Sequence, residues 1–188
     1  MEQLYFTNDF LTKEDKEELL KIAKESVENF VKFGKKPDFK IESKNLNIPL
    51  GAFVTLKKNG QLRGCIGKIL SFKEPLWKVV SEMAIAAATE DPRFEPVSEK
   101  ELKDLEFEIS VIFNYKKINS IKEIEIGKHG VHVISGFYSG LFLPQVATEY
   151  NWTLEELLDN LMLKAGLPPK YWKDHKLDFY TFEAIVFS

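Results

Sequence analysis

Apolar residues recur at helical spacing from about Lys13 to Phe33, with Leu19, Ile22, Ala23, Val27 and Phe30 on one face and Ser26 among them. Thr12 and Asp15 stand at capping-box spacing, and Gly34 is placed to end the helix. From Lys35 to Pro49 the chain turns lysine-rich and aperiodic, which predicts a long surface loop. A hairpin follows: Gly51 to Lys57 reads as a strand, Asn59-Gly60 is a strong two-residue turn signal, and Gln61 to Ile66 returns. Ser71, with Glu74 three residues on and Pro75 beside it, predicts the start of a second helix. Its Leu76, Val79, Val80, Met83 and Ile85 run into Ala86-Ala87-Ala88, so it is expected to be buried on more than one side. Pro92 disfavours helical geometry at Asp91 and closes it.

Beyond that point the pattern shortens. Ser98 and Glu101 predict a capped short helix, and Glu106 to Phe113 a strand. Val131 to Ser135 and Leu141 to Leu143 read as strands with Gly136 to Gly140 as their turn. Thr153 and Glu156 cap a last helix whose Leu157, Leu158, Leu161 and Met162 face inward, and Gly166 with Pro168-Pro169 ends it. A final strand runs from Phe179 to Phe187. Hairpins and helices are mixed without strict alternation, so the predicted class is α+β, a mainly antiparallel sheet packed with helices. Residues 1–188 are expected to form one domain, with room for a smaller subordinate lobe.

Composition narrows the function more than the fold. At 188 residues and 44% hydrophobic content the chain can bury a real core. A formal charge of −3 argues against a general nucleic-acid binder, which carries a basic excess. A single cysteine allows no internal disulfide and suits a reducing compartment. The opening MEQLYFTNDF lacks the basic start and apolar core of a signal peptide. The apolar stretch from Met83 to Ala88 is far short of the ~20 residues that span a bilayer. The expected setting is therefore cytoplasmic, with no membrane partner.

The chemistry concentrates in Gly60 to Gly67, which holds the only cysteine, Cys65, one of two arginines, Arg63, and three of ten glycines. Guanidinium is a planar fork suited to carboxylate or phosphate. Cys65 lies two residues from Arg63, on the same face of an ideal strand, where a cation would favour the reactive thiolate. Against this stands the ordinary fate of a free cysteine as a small buried hydrophobe. Gly64 and Gly67 would let a backbone approach a ligand closely. Arg93 sits in Asp91-Pro92-Arg93-Phe94, where its ordinary role is a salt bridge to a neighbouring acid and its functional one a shared anion site with Arg63. An Arg63 kept for an anion would leave stability within about 0.5 kcal/mol when truncated. Leu62 stands where a dinucleotide fingerprint needs its first glycine, and no phosphate-loop motif is present. His129 and His132, three apart, would point to opposite faces of a strand; with one cysteine and His175 besides, no metal site is expected.

The run Leu62-Arg63-Gly64-Cys65-Ile66-Gly67 resembles the signature hexapeptide of the AMMECR family. Asp91-Pro92-Arg93-Phe94, Glu108-Ile109-Ser110-Val111, His129-Gly130, Leu143-Pro144-Gln145-Val146-Ala147 and Trp152 resemble its later blocks in the same order. The resemblance covers roughly residues 50–166 and implies an α+β fold of two unequal lobes with a functional site at the hexapeptide. It also implies a pathway shared with Memo-like and radical-SAM proteins; lacking a CxxxCxxC cluster, this chain would be the accessory or downstream component. The candidate catalytic residues are thus Cys65 and Arg63, and the candidate ligand-binding residues Gly64, Gly67, Arg93 and His129, around a small anionic or carbonyl-containing ligand. The sequence does not identify a cofactor. A non-catalytic module that docks a partner is the first alternative, and a nucleic-acid-associated factor the second.

Overall fold

The computed structural model describes residues 5–188. Six strands, β1 (Gly51–Lys58), β2 (Gln61–Lys68), β3 (Leu105–Lys117), β4 (Gly130–Ser135), β5 (Tyr138–Phe142) and β6 (Asp178–Phe187), form a sheet in the order β2-β1-β3-β6-β4-β5. β1 runs antiparallel to both β2 and β3, and β4 antiparallel to both β5 and β6. With its helices the protein is α+β. The chain divides into two compact units, an N-terminal one of residues 6–112 and 185–188, and a C-terminal one of residues 113–184 with Tyr5. β3 and β6 contribute residues to both.

In the N-terminal unit, helices α1 (Lys13–Phe33) and α2 (Leu76–Thr89) pack on each other, and α2 lies on β1 and β2. Leu19, Ala23 and Val27 of α1, Val79, Val80 and Ala84 of α2, and Val54 and Leu56 of β1 are fully buried. The helix reading holds at α1, where both capping-box bonds form between Thr12 and Asp15 and Gly34 adopts the left-handed conformation at φ 66°. Asp15 also accepts from Ser43 Oγ at 2.6 Å and Asn45 Nδ2 at 2.8 Å. These bonds fasten the lysine-rich segment, which contains a short 3-10 turn at Asn45–Asn47 with Leu46 fully buried. α2 begins at Leu76 rather than Ser71. Ser71 and Glu74 do exchange hydrogen bonds, but they close a separate turn, and Pro75 at ψ 153° breaks the path into the helix. The Glu74 carboxylate, which a capping box would need, is held by Lys68 at 2.6 Å.

The C-terminal unit packs helices α3 (Pro144–Glu149), α4 (Leu154–Lys164) and α5 (Tyr171–Asp174) with β4, β5 and the first part of β6. Its core joins Val131 and Val133 to Leu157, Leu158, Leu161, Met162 and Phe179. α4 starts at the Thr153–Glu156 capping box as read from the sequence. The β4–β5 turn is tighter than expected, because Tyr138 and Ser139 already pair with Ser135 and Ile134. β3 also extends past Phe113 to Lys117, with Asn114 at φ 51°.

Candidate functional site

β2 is an edge strand, and its residues face two different surroundings. Leu56 pairs with Gly64 but Lys57 pairs with Leu62, so Arg63 is the extra residue of a bulge. The bulge releases its side chain from the cross-strand pattern. Arg63 reaches Glu101 as a two-point fork, Nε to Oε1 at 3.0 Å and Nη2 to Oε2 at 3.2 Å. The pair is largely buried, with the Arg63 side chain 15% exposed and its Nη1 without a partner. Lys58 adds a second cation to Glu101 at 3.1 Å. Glu101 also accepts from the Ser98 amide and hydroxyl, capping the 3-10 turn Glu99–Asp104. The Arg63 guanidinium holds the Glu101 carboxyl well below the usual carboxylate range.

Cys65 lies opposite Thr55, whose Oγ1 donates to the half-buried Sγ at 3.2 Å. Its backbone N–H donates to Asp91 Oδ2 at 2.8 Å. Asp91 is 4% exposed and is gripped in turn by Arg93, through Nε at 2.9 Å, Nη2 at 2.7 Å and the backbone amide at 3.1 Å. The Arg93 side chain depresses the Asp91 carboxyl well below its ordinary range, helped by the Cys65 amide. An unpaired strand-edge amide thereby finds a partner, which also blunts the edge against further strand pairing. Arg93 remains 53% exposed along its side chain and lies near enough to Cys65 to interact with it electrostatically. The Phe94 ring lies 5.9 Å from the Arg63 guanidinium carbon and 5.5 Å from that of Arg93, at the margin of cation–π contact.

The structure thus brings Arg63, Cys65 and Arg93 into one assembly with Glu101 and Asp91, and each arginine is committed to its own carboxylate. The glycines serve packing. A Cβ at Gly64 would overlap the carbonyl oxygen of Ala87 in α2, and one at Gly67 would overlap the Phe53 ring. Helix α2 can therefore lie directly on β2. Sequence reasoning weighed a neighbouring acid as the neutraliser of Arg93 and Glu101 as a cap. It missed Glu101 as the partner of Arg63, 38 residues away, for which no local signal exists.

His129 belongs to the C-terminal unit and is buried. It precedes β4 instead of lying on it, and its Nδ1 accepts from the Glu125 amide at 3.1 Å. Burial lowers its pKa below 6.5, which favours the neutral ring. Among the described residues no group of three or more His, Cys, Asp or Glu is arranged to hold a metal ion, and no helix is long and apolar enough to cross a membrane.

Similarity to known proteins covers nearly the whole chain. Protein MK0488 of Methanopyrus kandleri is 41% identical over 190 residues, spanning 95% of this chain and 90% of that protein. Protein NEQ441 of Nanoarchaeum equitans is 41% identical over 178 residues, spanning 90% and 98%. The crystal structure of the uncharacterized protein PH0010 from Pyrococcus horikoshii superposes with a TM-score of 0.87 at 36% identity, covering 94% of this chain and 92% of that one. The AMMECR1 family model matches residues 20–187, and the chain belongs to that family.

Proposed function

We propose that the protein is an enzyme or modification factor that works at the Cys65 side of the hairpin on an anionic or carbonyl-containing ligand. Cys65 is the reacting group in this reading, and Thr55 Oγ1 steadies the sulfur by hydrogen bonding. Arg93, half exposed beside it, meets the anionic part of the ligand. Arg63 keeps the bulge and the 3-10 turn together through Glu101 and so acts as a positioning residue. The observation that carries the reading is a partly buried cysteine whose sulfur accepts a hydroxyl bond near an arginine side chain that is 53% exposed. Within a pathway shared with Memo-like and radical-SAM proteins, the chain would take a product or intermediate supplied by the partner.

Two alkylating probes with one warhead test this. Iodoacetate carries a carboxylate and iodoacetamide does not, so the ratio of their rates at Cys65 reports anion recognition at the thiol. In the native protein the ratio should exceed that of the urea-unfolded chain by about tenfold, the equivalent of about 1.4 kcal/mol. Arg93→Ala should remove most of the difference. A thiol that reacts only after unfolding, or equal ratios in both states, overturns the reading. The partner-docking alternative draws on Leu62, Leu70 and Phe72, which are 43%, 41% and 84% exposed on and just after β2. It would be favoured if Phe72→Ser abolished binding to a purified Memo-like protein while both alkylation rates stayed unchanged.

A further inference from the structure

The C-terminal unit holds a polar cavity of about 250 Å³ that the hairpin chemistry does not use. One wall is Glu183, whose side chain sits in a residue only 8% exposed. Its carboxylate accepts from Asn114 Nδ2 at 2.9 Å and from the Tyr5 hydroxyl at 3.4 Å, both neutral donors. Among the described residues it forms no direct ion pair, and the Lys128 ammonium on the same cavity acts on it only at longer range. A carboxylate buried to this degree whose direct partners are neutral donors is costly, and a cation seated against it in the adjoining cavity would relieve it. Asn114 reaches Glu183 from near the C-terminal end of β3, where φ is 51°, a left-handed conformation that asparagine tolerates better than most residues.

The remaining charges on the lining divide into engaged and available. Glu123 accepts from the amides of Asn119 and Ser120, and Lys128 pairs with Glu125 at 3.3 Å. Lys116 is exposed at the cavity and has no described partner. His129 contributes a donor of fixed identity. Its Nδ1 accepts the Glu125 amide, so Nδ1 carries no proton, and the neutral ring must hold its hydrogen on Nε2. The cavity therefore offers one buried anion together with an ammonium and an imidazole N–H.

We propose that this cavity binds a small zwitterion, a molecule with a primary ammonium and a carboxylate a few bonds apart, as in free amino acids. The ammonium pairs with Glu183, and the carboxylate is received by Lys116 Nζ and His129 Nε2–H. A volume of 250 Å³ corresponds to about eight waters at their liquid share, which suits a ligand of about that many non-hydrogen atoms. This site shares no lining residue with the hairpin and does not depend on the thiol reading.

The test follows the imidazole nitrogen resonances of the full chain by NMR, with the His129 signals assigned from His129→Gln. Glycine, β-alanine and 4-aminobutanoate are titrated as probes of charge spacing, with acetate and ethylammonium as half-ligands at matched ionic strength. At least one zwitterion should shift the His129 signals saturably and bind about tenfold tighter than either half-ligand. Glu183→Gln, which preserves shape and an acceptor, should reduce that zwitterion to the affinity of acetate. Lys116→Met, at an exposed position, should weaken zwitterion and acetate alike and decides the matter should Glu183→Gln not fold. The proposal is overturned when no probe shifts His129 at millimolar concentration, when acetate binds as tightly as the best zwitterion, or when Lys116→Met leaves binding unchanged.

Discussion

Arg63 and Glu101 meet as a two-point fork in a largely buried setting, and this changes what truncation should do. An arginine kept only for a ligand would tolerate alanine with little loss. Here Arg63→Ala leaves the Glu101 carboxylate with Lys58 as its only cation, so unfolding in urea should show a loss of about 1–3 kcal/mol. Arg63→Lys should recover only part, because an ammonium cannot reproduce the fork. A double-mutant cycle with Glu101→Ala should give a coupling of about 1 kcal/mol or more; simple additivity would mean the fork contributes nothing. That Arg93 would pair with a neighbouring acid was legible in the sequence, and the fold selects Asp91. That between Arg63 and Glu101 was not, since the bulge that aims Arg63 and the turn that offers Glu101 come together only in the fold.

Elements with strong periodicity and complete caps were readable almost to the residue, as α1 and α4 show. The start of α2 was misread because Ser71 and Glu74 have capping spacing, while the Glu74 carboxylate is claimed by Lys68, the last residue of β2. α3 and α5, of six and four residues, are too short for a helical period to emerge. The glycines of the hairpin carried a different message from the one their motif suggested. Gly64 marks where the α2 backbone rests on β2, and an added methyl there would collide with a carbonyl oxygen that belongs to the helix itself. Gly64→Ala should therefore lower stability by about 1–3 kcal/mol through overpacking. Gly67→Ala should lower stability as well, because the added Cβ would meet Phe53 Cγ, which ring rotation does not move, and the backbone carbonyl oxygen of Ala52 at 2.7 Å. Thermal melts of the two variants decide; a Gly64→Ala protein as stable as the parent would mean that α2 does not press on β2 at Gly64.

At the scale of the whole molecule, the sheet order places β3 next to β6, more than sixty residues later in the chain, a pairing that no local pattern reveals. The α+β class was legible, because mixed hairpins and helices constrain class without fixing strand order. The same folding buries two titratable rings, with a consequence for pH. His129 accepts the Glu125 amide, and His132 sits between the Tyr115 hydroxyl at 2.8 Å and Ser139 Oγ at 2.8 Å. Burial lowers both pKa values below 6.5, so the unfolded chain takes up protons before the folded one does. Their stabilising effect is complete above 6.5 and is lost as the pH falls through that value toward the folded pKa. The carboxyls of Asp91 and Glu101 are depressed, so their contributions are lost only below their ordinary 3.8 and 4.5. Acidification from about pH 7 to about pH 5 therefore isolates the histidines. Unfolding free energy from urea titrations at fixed ionic strength should fall across that interval, and the combined change His129→Gln with His132→Gln should flatten the profile. A wild-type profile that is level or rises toward acid would show that neither ring is held neutral by its burial.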